Sequence, residues 1–366
     1  MGKETSTSDH SSAESCTIID QASRGDDLAK EDIILLLKIT DQDDLQKLFA
    51  AADEVRKRFV GPEVFLRGIV EFSNFCERNC LYCGLRKGNK ELKRYRIGED
   101  EILATAHRIK DADIATIVLQ SGEDSFNTTD IICRLIKRIK EETALTITLS
   151  IGERSYEDYI AFKRAGADRY LLKHETVTPE LYDMLRPGCR YEKRWQCLAW
   201  LKELGYEVGT GCMVGLPGQD MASLADDILF MKEIDADMLG IGPFIAHPLT
   251  PLAPYPNGSL KLTLKMLAIT RLLTKSTNIP ATTALTTIDP LARTNAFNAG
   301  ANVIMPDFTP FSYKRFYDIY PGRSSKSLDI HDFMEVLESE LARNGRVIGA
   351  GGGYRKQRVI PILNQR

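Results

Sequence analysis

The sequence predicts a TIM-type (β/α)8 barrel with N-terminal helices and a C-terminal extension. Three observations carry this expectation. Eight short apolar runs alternate with helical segments, the texture of parallel β/α architecture. The 366 residues, 43% of them hydrophobic, suffice to bury one large core. A polar or reactive-looking group follows each apolar run, at the strand ends where such a barrel keeps its chemistry.

Residues 1–28 are rich in Ser, Thr, Asp and Glu, so they are expected to form a disordered tail that cannot repay the entropy of ordering. Ile33, Leu36 and Leu37, then Leu45, Leu48 and Phe49, recur at helical spacing and predict two helices within 29–59, capping the closed end of the barrel. Strands are expected at Val64–Phe72, Thr116–Leu119, Leu145–Leu149, Arg169–Leu172, Val208–Val214, Met238–Ile241, Ala281–Leu285 and Asn302–Met305. Helices are expected over 99–111, 129–142, 155–165, 190–205, 220–234, 261–274 and 290–299, with Gly166, Gly205 and Gly300 as stop signals. One domain then covers 29–345. Residues 346–366, with Gly351, Gly352 and Gly353, read as a flexible tail.

A net charge of −3 and a pI near 6.1 leave no basic excess for a polyanion, so no nucleic-acid partner is expected. No run of about 18 apolar residues and no signal peptide is visible, which predicts a cytoplasmic protein without a membrane partner. Its eight cysteines are then reduced thiols.

Three of those cysteines, Cys76, Cys80 and Cys83, form a C-x3-C-x2-C loop directly after the first predicted strand. Thiolates so grouped suit iron-sulfur clusters or zinc. Zinc loops usually come as paired C-x2-C units, and the sequence has no second pair, which favours a 4Fe-4S cluster over zinc or unconnected core thiols. A 4Fe-4S cluster normally takes four cysteines, so three leave one iron open to chelate a small molecule. The amino and carboxylate groups of S-adenosylmethionine can form such a chelate. Cys133, Cys189, Cys197 and Cys212 lack metal spacing and read as structural thiols.

The cysteine spacing, with Tyr82 just before Cys83, resembles the signature of the radical S-adenosylmethionine (radical SAM) superfamily. Runs at 66–74, 80–86, 92–96, 118–124, 213–219, 240–245 and 279–284 extend the resemblance across about 60–320, to the HydE maturases of FeFe hydrogenases. Biotin synthase and methylornithine synthase share fewer of these runs. The resemblance implies an enzyme that reductively cleaves S-adenosylmethionine to a 5′-deoxyadenosyl radical acting on a small anionic substrate. It implies an external electron donor, and other hydrogenase maturases as partners. Two alternatives stand beside it: a HydE-like paralogue, or methylornithine- or biotin-synthase-like enzyme, with a different small substrate, and a non-catalytic iron-sulfur carrier.

By position, the resemblance puts S-adenosylmethionine against Tyr82, Gln120, Ser121, Gly122, Glu123, Ser150, Glu175 and Arg194, and the substrate against Thr148, Arg169, Lys173, Thr282 and Thr283. No acid–base residue is assigned: His174 reads as a packed or hydrogen-bonded side chain, because radical hydrogen abstraction needs neither acid nor base. Asp124 or Ser125 is an alternative cap for the following helix. The sequence departs from the family twice. Lys173 stands where arginine is expected, replacing a bidentate fork by a point charge. The cysteines that hold a second cluster near 324–336 in some HydE proteins are missing.

Overall fold

The computed structural model describes residues 6–323 and 329–356. The chain opens with helices α1 (Ser6–Arg24), α2 (Lys30–Lys38) and α3 (Gln42–Phe59). An ordered α1 replaces the expected tail over most of its length. Its short apolar stripe, Ile18, Ile19 and Ala22, is buried in the main core, and α1 packs against α3. Few apolar residues suffice there because they share one helix face. Helices α2 and α3 do not cap the barrel's closed end. They lie against outer helices, α2 on the helix Met221–Glu233 and α3 on the helix Leu260–Thr274.

The barrel alternates as expected: β1 (Glu63–Leu66), β2 (Gly68–Ser73), α4 (Glu99–Asp111), β3 (Thr116–Ser121), α5 (Thr129–Thr143), β4 (Thr146–Ser150), α6 (Tyr156–Ala165) and β5 (Arg169–Leu171). Then follow α7 (Pro179–Leu185), α8 (Tyr191–Glu203), β6 (Glu207–Thr210), β7 (Met213–Val214), α9 (Met221–Glu233), β8 (Met238–Leu239), β9 (Gly242–Pro243) and α10 (Leu260–Thr274). The chain continues through α11 (Thr283–Ile288), α12 (Ala292–Asn298), β10 (Val303–Ile304), α13 (Phe311–Lys314), α14 (Ile330–Arg343) and β11 (Val347–Ile348).

Strands β2, β3, β4, β5, β6 and β8 form a parallel sheet in that order. Single bridges close the ring, from Met238 to Asn278, from Pro280 to Val303 and from Ile69 to Asp307. The seventh stave is therefore two bridges at Asn278 and Pro280, not a strand over 281–285. Pro280 has no N–H for a ladder, and the chain enters helix α11 at Thr283.

The two-residue period of a strand decides what each side chain meets. Along β5 and beyond, Tyr170 and Leu172 join the core under the outer helices, whereas Leu171, Lys173 and Glu175 line the barrel interior. His174 falls on the helix side. Its Nδ1 lies 3.1 Å from Thr210 Oγ1 and its Nε2 3.3 Å from Asp227 of α9.

The barrel base is closed by the segment read as a flexible tail. Strand β11 pairs with β1, and the chain then crosses beneath the strands. Gly352 O accepts from Arg169 at 2.7 Å and from Thr116 Oγ1 at 3.2 Å, and Gly353 O accepts from Asn278 at 3.0 Å. Gly353 has φ +60°, and a Cβ there would sit 2.6 Å from the Phe65 ring, so both conformation and space require glycine. The buried Arg67, at the break between β1 and β2, also reaches Gly353 O, and burial lowers its guanidinium to about 9. Sequence patterning misses this plug because what it offers its side-chain partners is backbone carbonyls. Among the described residues, no helix is long and apolar enough to cross a membrane.

Candidate functional site

The loop from Asn74 to Gly98 lies beyond the carboxyl end of β2 and has almost no ladder of its own, so side chains satisfy its backbone. The Arg94 guanidinium donates to the carbonyls of Asn74 (2.5 Å), Leu85 (2.8 Å), Arg86 (2.8 Å) and Asn89 (3.2 Å). Asn74 donates to the carbonyls of Lys93 and Phe316 and accepts from the Tyr95 N–H. Leu81 N–H reaches Leu185 O at 2.8 Å and Gly84 N–H reaches Ile319 O at 3.0 Å, tying the loop to the barrel mouth.

Cys76, Cys80 and Cys83 are free thiols within this clamp. Burial pushes Cys80 up to about 11, with Arg186 opposing, and raises Cys83 with help from its two neighbouring thiols. Bare thiols here hold their protons at neutral pH, and a bound metal displaces them. A single zinc would draw its sulfur ligands to about 3.8 Å apart. Among the described residues, only His174, Cys212 and Asp227 bring three potential ligand atoms within 4.8 Å of one another, and these lie under the outer helices. The wider spacing of the loop thiols fits a cluster with one thiolate per iron. At Gly122 a Cβ would lie 2.7 Å from the Cys76 Cβ and 2.3 Å from Phe75 O, so glycine lets the β3 end approach the thiol loop.

Three glutamates and three arginines interlock beside the thiols. Glu123 accepts from Arg78 at 2.5 Å and Arg186 at 3.4 Å, and Arg194 lies 3.9 Å away. Glu153 pairs with Arg194 at 3.0 Å, and Glu175 lies 3.9 Å from Arg186, which also reaches the Tyr82 hydroxyl at 3.2 Å. Glu175 has φ +71°, which turns its stave at the barrel mouth. Gln120 and Ser150 stand in register at the ends of β3 and β4, and Ser121 Oγ donates to Gly122 O. Arg186 was not picked out from sequence, and Glu153 only as part of the polar group after the third predicted strand, without a ligand role. Glu153 had a visible signal, a carboxylate just past a strand end, whereas Arg186 closes a short helix that the periodicity did not mark.

Asp124 stabilises the loop and does not cap α5, whose N-cap is Thr128. It accepts from Ser73 Oγ at 2.7 Å, from Arg96 at 2.7 and 2.8 Å, and from the Phe126 N–H at 3.2 Å. Burial works to raise its carboxyl, but these donors hold it below the usual carboxylate range.

Inside the mouth is a cavity of about 280 Å³, lined by Tyr82, Cys83, Lys173, Glu175, Thr282 and Thr283 among others. The five expected substrate residues do not converge on it. Arg169 lies at the base, paired with Glu207 and stacked 4.3 Å from the Tyr354 ring. Thr148 shares with it a separate void of about 10 Å³. Leu171 and Met238 line both spaces and stand between them. Lys173 has no ion-pair partner among the described residues. The cavity also holds a charged pair that sequence reading missed, Glu71 with Arg323 at 2.5 Å. Burial pushes the Glu71 carboxyl up to about 8 against the pull of Arg323. A carboxylate inside an apolar strand was the readable signal for Glu71. Residues 324–328, where the expected second-cluster cysteines are missing, lie outside the described residues.

A family profile described as the radical SAM superfamily matches residues 70–231. The FeFe hydrogenase maturase subunit HydE of Thermotoga maritima is 53% identical over 287 residues, covering 78% of this chain and 82% of that protein. The 3-methylornithine synthase of Methanosarcina acetivorans is 32% identical, covering 76% and 79%. The crystal structure of a methylornithine synthase superposes with a TM-score of 0.81 at 28% identity, covering 91% of this chain and 97% of that one.

Proposed function

The chain belongs to the radical SAM superfamily and, within it, to the HydE maturase family, and from that premise we propose that it cleaves S-adenosylmethionine reductively to act on a small anionic substrate during FeFe hydrogenase maturation. The observation that carries the reading is the position of the thiol loop, whose Cys83 opens onto the cavity that also holds Lys173 and Glu175.

Cys76, Cys80 and Cys83 would hold a 4Fe-4S cluster. When bound, the cluster and S-adenosylmethionine supply a one-electron cleavage that releases methionine and a 5′-deoxyadenosyl radical. The chain's own residues bind and orient. Glu123, with Gln120 and Ser121, offers acceptors to an ammonium group, and Glu175 and Ser150 offer them to ribose hydroxyls. Arg194 and Arg186 present guanidinium groups to a carboxylate. Gly122 lets the β3 end approach the cysteine loop, and the Tyr82 hydroxyl ties the loop to Arg186. In the cavity, Lys173 supplies an unpaired cation and Thr282 and Thr283 supply hydroxyls to an anionic substrate.

The test is anaerobic reconstitution followed by dithionite, with chromatography for 5′-deoxyadenosine and methionine. Both products above a cluster-free control are expected. A cluster without deoxyadenosine would instead mark a carrier.

A further inference from the structure

Resting on the reading of the three thiols as cluster ligands, we propose that the outward face of the cysteine loop is the docking surface for a small acidic one-electron carrier protein. The loop has two faces. Cys83 lines the internal cavity, whereas Cys76 opens onto a separate surface depression of about 300 Å³ lined by Lys87, Arg94 and Arg96, with Glu77 and the Arg96-paired Asp124 as its acidic members. The inner face is committed to the small-molecule cavity. An electron from a protein donor therefore has its short route past Cys76.

The charge of this loop is opposite to that of the whole chain. Residues 77–96 carry seven Lys or Arg against Glu77 and Glu91, on a chain of net charge −3. Three of the basic groups are consumed internally: Arg78 by Glu123, Arg96 by Asp124 and Arg94 by the loop carbonyls. Lys87, Lys90 and Lys93 are exposed and have no ion-pair partner among the described residues. The exposed Arg315 extends the patch, with Lys93 and Arg315 lying 4.9 and 4.6 Å from the Phe316 ring. Phe126, 58% exposed, lies 4.4 Å from the Arg96 guanidinium and adds an apolar contact beside the depression. Three unpaired lysines on the loop, with the exposed Phe126 beside Arg96, steer and seat an acidic protein, and they leave the pairing that holds the loop untouched.

The test uses reconstituted holoprotein and oxidised flavodoxin as the probe, with binding measured by calorimetry. Wild type is compared with the triple variant Lys87→Glu/Lys90→Glu/Lys93→Glu, and with Lys57→Glu/Arg58→Glu on α3 as a charge control. The triple variant should bind at least about tenfold more weakly, the control should bind as wild type does, and wild-type binding should weaken between about 50 and about 300 mM salt. Deoxyadenosine formation driven by reduced flavodoxin should fall in step in the triple variant, while the dithionite-driven reaction is unchanged. Equal binding by wild type and the triple variant, or no flavodoxin binding at all, overturns the proposal. So does lysine-dependent binding to anionic vesicles but not to flavodoxin. Failure of the dithionite reaction in iron-loaded wild type counts instead against the proposed function.

Discussion

Arg169 and Lys173 project from the same barrel stave toward its interior, yet Arg169 is closed off by Glu207 at the base while Lys173 faces the cavity unpaired. The two cations therefore predict different phenotypes. Lys173→Ala should leave iron content and S-adenosylmethionine binding unchanged and remove the substrate-dependent rise in deoxyadenosine. Arg169→Ala strands Glu207 and should cost about 3 kcal/mol in denaturant unfolding. A matching loss of substrate response in both variants would contradict this division.

Iron analysis and paramagnetic resonance test the thiol loop. Wild type reconstituted anaerobically should hold about four irons per chain, with a spectrum that shifts on adding S-adenosylmethionine. Alanine at Cys76, Cys80 or Cys83 should abolish the signal, and alanine at Cys197 should not. Zinc in place of iron, or a cluster surviving in the triple alanine variant, would count against the assignment.

Arg186 links Tyr82, Glu123 and Glu175, so Arg186→Ala should weaken S-adenosylmethionine binding more than it weakens cluster assembly. Losing charge-assisted hydrogen bonds worth about 2 kcal/mol corresponds to roughly thirtyfold in affinity. Equilibrium dialysis under anaerobic conditions reads this directly. Unchanged affinity would remove Arg186 from the binding site.

Much of this was legible in the sequence because it is written in local patterns. The helix over 99–111 has the predicted limits, since periodicity and charge bias agree there. The thiol loop was legible from spacing alone. The split between Lys173 and Arg169 was not, because it depends on how far each lies along one short strand, and Glu207 reaches Arg169 only once the sheet is assembled. Helix α1 was missed because its stripe is brief within a polar run. The base plug was missed because the glycines that build it look like a loose end.

That plug makes a stability prediction. Gly353→Val meets both a positive φ and the Phe65 ring, and should lower stability by about 2–3 kcal/mol. Gly351→Ala has φ +73° but open space around it, so it should cost only about 1 kcal/mol of backbone strain. Thermal unfolding of the two variants should rank them in that order, and equal losses would mean that the Phe65 contact carries no weight.

Asp124 gives a pH dependence with a definite sign. Its folded carboxyl is held below the ordinary value, so its contribution is present above about pH 4 and is lost as pH falls through the folded value. Asp124→Asn, which removes the ion pair with Arg96, should destabilise by about 3 kcal/mol at neutral pH. The gap between variant and wild type should narrow below about pH 4. A gap independent of pH would show that the loss comes from packing alone.

Strand β1 lies between β10 and β11, so one of the earliest barrel strands is hydrogen-bonded on both sides by late segments of the chain. During synthesis one edge stays open until Val303 and the other until Val347 has left the ribosome, long after β2, β3 and β4 can pair. Such nonlocal closure is slow and leaves an apolar strand available to wrong partners. The order of assembly is therefore built into the topology: the sheet can grow from β2 onward, but the strand made first is paired last. A nascent chain of this protein carries residues 63–66 without their second partner strand until nearly the whole of it has been made.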